Sequence, residues 1–152
     1  IYTPRTLFPY TTLFRSYASA GVVTTSDARE KTAVRDFTPN ELSASKVMAK
    51  EIGFFQFLGA VAAKGASAAR MHCGMTVQRA IEIMEAHSLN PYSYGFICYD
   101  EWDASTVTDT GADGESVKVH TPAGNRYSLR EGELAFFIAK GMDARLKALE
   151  AR

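Results

Sequence analysis

The chain has little of several things, and each scarcity removes a class of explanation. Its 152 residues hold two cysteines, Cys73 and Cys98, far apart and in no ligand spacing. Free thiols in a reducing compartment are the default reading of such a pair. There are three histidines, and His72 adjoins Cys73, an arrangement that suits a shared metal poorly, so a zinc site is not expected. Neither sign of charge prevails: 17 basic and 17 acidic side chains give a formal net charge of zero, with no basic block. A surface dedicated to nucleic acid is therefore not expected. No apolar run reaches bilayer length, since the richest, Phe54 to Ala63, is short and carries Gln56 and Gly59. A membrane protein is not expected either.

What is present is ordinary globular composition, 46% hydrophobic and 22% charged. That supports one domain with a modest core, or one domain plus a tail. The first residues are set apart from it. Thr6-Leu7-Phe8-Pro9-Tyr10-Thr11-Thr12-Leu13-Phe14-Arg15-Ser16 resembles the in-frame translation of a sequencing-library adapter, with Ile1 to Arg5 as its flank. A signal peptide fits less well, because Pro9 interrupts the segment and no continuous apolar centre exists. On this reading residues 1–16 are non-native, native sequence begins near Tyr17, and a larger upstream part is missing.

The remainder predicts a small α+β domain with short strands, two to three helices and a closing helix. Tyr17 to Thr25 reads as an extended arm, and a short strand is expected around Thr32 to Val34. Thr38-Pro39-Asn40-Glu41 is a strong helix start: Thr38 caps, Pro39 takes the first position and Glu41 completes a capping box. This helix is expected to reach Ile52, bury Leu42, Met48 and Ile52, and stop at Gly53. Phe54 to Phe57 follows as a buried strand, with its aromatics in the core. Leu58 to Lys64 forms a helical turn closed by Gly65, and Met71 to Thr76 a short strand. Val77, Ala80, Ile81 and Met84 follow a helical period up to about His87. Tyr94 to Trp102 is the best strand in the chain. Asp103 to Glu115 lacks periodicity and reads as a flexible loop. Ser116–Thr121 and Arg126–Arg130 flank Pro122-Ala123-Gly124-Asn125 as a hairpin. In the last helix Leu134, Ile138, Met142, Leu146 and Leu149 make a near-heptad stripe, which is expected to pack on a core or on copies of itself and to be weakened by Gly141. His87 and His120 read as surface residues.

The chemistry-bearing stretch is Thr24-Thr25-Ser26-Asp27-Ala28-Arg29-Glu30-Lys31. A serine hydroxyl is a poor nucleophile until a base takes its proton. Lysine is such a base only when neutral, which requires burial to lower its pKa far from the usual value of about 10.4. A turn would bring Ser26 Oγ and Lys31 Nζ together, with apolar cover from the Phe54 region or the terminal helix. By spacing alone, a capping serine and a solvated lysine explain the same residues.

Ser26-Asp27 with Lys31 five residues on resembles the opening of the peptidase S74 family, the intramolecular chaperone auto-processing domains of phage tail spikes and fibres. The family's Gly-x-x-x-Gln strand end is matched by Gly74-Met75-Thr76-Val77-Gln78, followed by a helix. The alanine usual before the glutamine is missing, a departure that bears on packing. The likeness covers residues 26–152, with residues 17–25 left as the end of a fibre arm. It implies cleavage of the Thr25–Ser26 bond in a single turnover, Ser26 as nucleophile, Lys31 as general base and no cofactor. Asp27 would orient Lys31 or brace the turn, and His72 and Gln78 would position groups or stabilise an oxyanion. It further implies a homotrimer that aligns the upstream fibre of the same polypeptide, in the host cytoplasm during phage assembly, the upstream part ending in the virion tail. Two alternatives stand beside it: a trimerisation chaperone that no longer cuts, and an interaction module whose last helix docks a partner.

Overall fold

The computed structural model describes residues 15–18, 21–24, 26–110 and 114–152. It divides into two compact units, residues 1–36 and residues 37–152. In the first, β1 (Arg15–Ala18) and β2 (Gly21–Thr24) pair antiparallel, with Arg15 opposite Thr24 and Ala18 opposite Gly21. The extended arm is thus a hairpin. A single 3-10 turn, Ala28–Glu30, follows, and the strand expected at Thr32 to Val34 does not form. Val34 is 97% exposed, so no apolar face exists to hold a strand there.

The second unit is the α+β domain. Helix α1 (Pro39–Glu51) starts as its sequence dictates: Glu41 N–H donates to Thr38 Oγ1 at 3.2 Å, and Thr38 N–H donates to Glu41 Oε2 at 2.7 Å. Glu41 is 3% exposed and also accepts the Tyr94 hydroxyl at 2.8 Å, so one carboxylate ties the helix start to a segment 53 residues away. Replacing it with alanine removes the acceptor of two part-buried hydrogen bonds, from the Thr38 N–H and the Tyr94 hydroxyl. We expect Glu41→Ala to lower unfolding free energy by about 2–3 kcal/mol, measured by urea titration, while Glu41→Gln retains most of it. The helix buries Glu41, Ala44, Ser45 and Met48. Of the expected residues Met48 is fully covered, Leu42 half-buried and Ile52, one residue past the helix, 39% exposed.

Strands β3 (Gly53–Phe55) and β4 (His72–Gly74) pair antiparallel around α2 (Leu58–Lys64). Gly65 closes α2 at φ 79°, a conformation that glycine adopts without strain. The expectation of a buried aromatic strand fails here. Phe54 is 74% exposed, Phe57 58% and Leu58 86%, because this ribbon has only two strands and nothing among the described residues covers its outer face.

Helix α3 (Val77–Ala86) is capped by Thr76 and buries Val77, Ala80, Ile83 and Met84, so its inward face is turned slightly from the predicted one and Ile81 is only half-buried. His87 sits half-buried just past its end, with Nδ1 2.8 Å from the Ile83 carbonyl, and is not the surface residue expected. His120 is exposed and meets Thr106 Oγ1 at 3.1 Å. After a short 3-10 turn the chain enters β5 (Ile97–Trp102) and β6 (Ser105–Thr110), returning through β7 (Ser116–Thr121) and β8 (Gly124–Leu129). The pairing is nested: β5 lies against β8, with Ile97 opposite Leu129, and β6 against β7, with Val107 opposite Val119. Two expectations are corrected. Ser105–Thr110 is a strand and not a loop, and Ser116–Thr121 pairs with it rather than with Arg126–Arg130. Pro122 explains the second point, since it has no N–H for a ladder and interrupts the returning strand between β7 and β8; its carbonyl instead accepts Trp102 Nε1–H at 3.0 Å.

Helix α4 (Glu131–Glu150) closes the domain and packs on α1. Leu134 and Phe137 enter a core with Ala44, Met48, Val77, Ala80, Ile83, Met84, Phe96 and Ile97. Phe137 stacks on Phe37 at 5.2 Å and lies 5.1 Å from Phe96. Farther along, the stripe leaves the core: Met142, Leu146 and Leu149 are 46%, 56% and 61% exposed. Gly141 of this helix lies at the crossing with α1. It is buried, and a Cβ there would lie 2.3 Å from Ser45 Oγ and 2.9 Å from the Ser45 carbonyl carbon, so its missing side chain is what lets the two helices cross.

Candidate functional site

The stretch from Ser26 to Lys31 is built by local chemistry. Asp27 sits in extended conformation and caps the 3-10 turn, accepting the Arg29 backbone N–H at 2.9 Å. Glu30 N–H reaches the Asp27 carbonyl at 3.1 Å and Lys31 N–H the Ala28 carbonyl at 3.4 Å, after which Lys31 returns to extended backbone. Fully extended, residues five apart would be separated by about 17 Å. The turn takes up that length, and Lys31 Nζ donates to Ser26 Oγ at 2.8 Å.

Both side chains are exposed. The desolvation expected for the lysine is therefore not supplied by the chain as described. Thr25, on the other side of the bond of interest, lies outside the described residues. Asp27 turns to Arg29, whose Nε lies 3.0 and 3.1 Å from its two carboxylate oxygens and whose Nη2 is 2.5 Å from Oδ2. The guanidinium bonds, and then the backbone N–H, hold the Asp27 carboxyl below the ordinary carboxylate range. Asp27 thus braces the turn, and its bonds run to Arg29. Arg29 was missed in the sequence, although an aspartate two residues before an arginine at a turn start is a pattern that permits this clamp.

His72 and Gln78 belong to the second unit. His72, on β4, stacks against Phe55 at 5.8 Å and meets Phe57 edge-on at 4.8 Å. Gln78 is exposed at the second position of α3, whose cap is Thr76. Cys73 faces a cavity of about 390 Å³ with Phe55, Met75, Leu134 and Ile138 among its walls, an apolar space with no cluster of metal ligands. Both cysteines are free thiols, and the described residues hold no group of histidine, cysteine and carboxylates able to bind a metal. No helix among them is long and apolar enough to cross a membrane.

Comparison with known proteins converges on one family. Residues 26–89 match the peptidase S74 family model, described as chaperone of endosialidase. The chain is 48% identical over 140 residues to the side tail fibre protein pb1 of Escherichia phage T5, an alignment covering 88% of this chain and 10% of that protein. Among solved structures it resembles the carboxy-terminal domain of the bacteriophage T5 L-shaped tail fibre with its intramolecular chaperone domain, with TM-score 0.73, 46% identity, and 90% and 33% of the two chains covered. It also resembles a novel intramolecular chaperone, with TM-score 0.67, 30% identity, and 81% and 99% covered. The chain spans between 10% and 20% of the length of the curated relatives it matches, all of them tail fibre or tail spike proteins. With so much of a solved intramolecular chaperone matched end to end, and Ser26 the first residue of the family match, the chain belongs to the peptidase S74 family, the chaperones of endosialidase carried by phage tail fibres and tail spikes.

Proposed function

We propose that this chain is a self-cleaving intramolecular chaperone that assembles as a homotrimer, aligns an upstream tail fibre or spike, and then cuts itself free at Thr25–Ser26. Residues 26–152 form the releasable domain, and residues 17–25 remain with the fibre. The observation that carries the reading is the 2.8 Å contact between Lys31 Nζ and Ser26 Oγ. With the amine unprotonated, that contact reverses and the hydroxyl donates to nitrogen, the geometry of a general base on a nucleophile.

The steps follow from position. Ser26 Oγ bonds to the Thr25 carbonyl carbon through a five-membered ring as Lys31 accepts the hydroxyl proton. The carbon–nitrogen bond to Ser26 then breaks, and the lysine ammonium returns the proton to the departing amine. Water hydrolyses the resulting ester, leaving a Thr25 carboxylate and the Ser26 hydroxyl. Attachment of both groups to one short turn supplies the proximity that a weak nucleophile needs. The ester is directly testable: hydroxylamine added during cleavage should leave a hydroxamate on Thr25, and its absence in a chain that still cuts would exclude the acyl shift.

The trimer is supported by the outer half of α4, where Met142, Leu146 and Leu149 lie exposed on one face. Replacing the three with serine is expected to reduce the light-scattering mass to that of one chain while helical content persists. A trimer that survives this change would place the seam elsewhere. Assembly would occur in the host cytoplasm, and the fibre would remain in the virion tail once the aligning domain has gone, kinetically trapped in its folded form.

A further inference from the structure

The exposed face of α4 carries a more regular pattern than the stripe read from its sequence. Ala135, Ala139, Met142, Leu146 and Leu149 are all exposed and follow one another at spacings of four, three, four and three, the alternation of a coiled-coil seam. Leu134, Phe137 and Gly141, which are buried, lie on a different side of the helix. The seam is uneven. Its second half offers Met142, Leu146 and Leu149, whereas its first half offers two alanines, with exposed Gly132 one heptad before Ala139. Such small residues bury little area, so helices that meet there approach closely and bring their flanking residues into contact.

Beside that first half lies the apolar cavity of about 390 Å³. Glu131, Ala135, Ile138 and Ala139 form its α4 wall, together with Phe55 and Met75 from the ribbon side. With Ala139 and Met142 at the a and d positions of the heptad, Glu131 and Ile138 are both g residues and Phe136 is an e residue. In a parallel coiled coil the g side of one helix meets the e side of the next. Phe136 is 78% exposed, a large apolar ring on the side of α4 that would turn toward a neighbour's cavity. An apolar space of ~150 Å³ takes up benzene, so this one admits a phenylalanine ring.

We propose that the cavity is a socket for Phe136 of a second copy, each chain giving one aromatic side chain and receiving one. This deepens the assembly reading and rests on it: the chain forms a homotrimer through α4, and the socket completes the seam where its own residues are small. Ring and socket are different surfaces of one chain, so the contact is heterologous and is satisfied throughout only when the copies close into a ring.

Cys73 lines the same cavity and supplies the test. The full chain carrying Phe136→Cys and Cys98→Ser is treated with a short bismaleimide and run on a denaturing gel. Bands of two and three linked chains are expected, and Cys73→Ser should remove them. Phe136→Ser should raise the concentration at which half the chains are assembled by about tenfold, read by light scattering, while helical content stays unchanged. A cavity reserved for the upstream fibre or another protein would leave the chains unlinked and the assembly of Phe136→Ser intact. Either result, or links that persist without Cys73, overturns the proposal. An unaltered chain that stays single at every concentration would instead sink the trimer itself, so the two failures are distinguishable.

Discussion

Ser26→Ala is expected to abolish cutting, and Lys31→Ala to slow it by about a thousandfold or more, because a nucleophile and its base act as a unit. The two should not add: the double variant should be no slower than Ser26→Ala alone. In the unaltered chain the rate should rise with pH, since only the unprotonated amine accepts the serine proton. Both variants should keep the light-scattering mass of the unaltered chain, because Ser26 and Lys31 are exposed and take no part in the helical core. Arrest of cleavage together with loss of assembly would instead assign Ser26 to folding. The same experiment decides the principal alternative, a trimerisation chaperone that no longer cuts. That alternative predicts a full-length product from every form, the unaltered chain included.

The second large effect lies in the crossing of α1 and α4. Alanine normally stabilises a helix interior relative to glycine by about 1 kcal/mol. At Gly141 the sign should reverse. An added Cβ would meet Ser45 Oγ at 2.3 Å, which a rotamer change relieves, but also the Ser45 carbonyl carbon at 2.9 Å, which only movement of a helix relieves. We expect Gly141→Ala to cost roughly 1–3 kcal/mol and Gly141→Leu more, read as a falling midpoint in urea. A Gly141→Ala chain at least as stable as the unaltered one would show that the helices separate freely.

The two predictions illustrate what the sequence discloses and what it withholds. Elements governed by chemistry within a few residues were legible. The capping box of Thr38 and Glu41, the stop at Gly65 and the helix opening at Val77 appear as read, because each depends on neighbours in the chain. Choices that depend on distant partners were not legible. Ser105–Thr110 has one apolar residue, Val107, and all six positions are exposed, so no alternation marked it, and only its threonine content leaned toward a strand. The partner of β7 was misassigned because proximity across Pro122 suggested a turn there. Gly141 looked like a defect in the stripe of α4 until Ser45 stood opposite it.

The site divides in the same way. Spacing made a contact between Ser26 and Lys31 conceivable, but equally a cap and a surface charge. What brings the two side chains together locally is Asp27, whose side chain caps the turn over Ala28–Glu30. The aromatic run at Phe54 to Phe57 was read as core because composition does not distinguish a buried strand from an exposed two-stranded ribbon, and the structure shows the latter.

The central claim is a chemical one, that this chain cuts itself at one bond. It is tested most directly by expressing the chain fused behind a fibre segment and determining the first residue of the carboxy-terminal fragment by mass spectrometry and terminal sequencing. The account predicts a single new amino terminus at Ser26, appearing without added protease and absent in Ser26→Ala. A chain that stays full length, or a fragment beginning at any other residue, would contradict it.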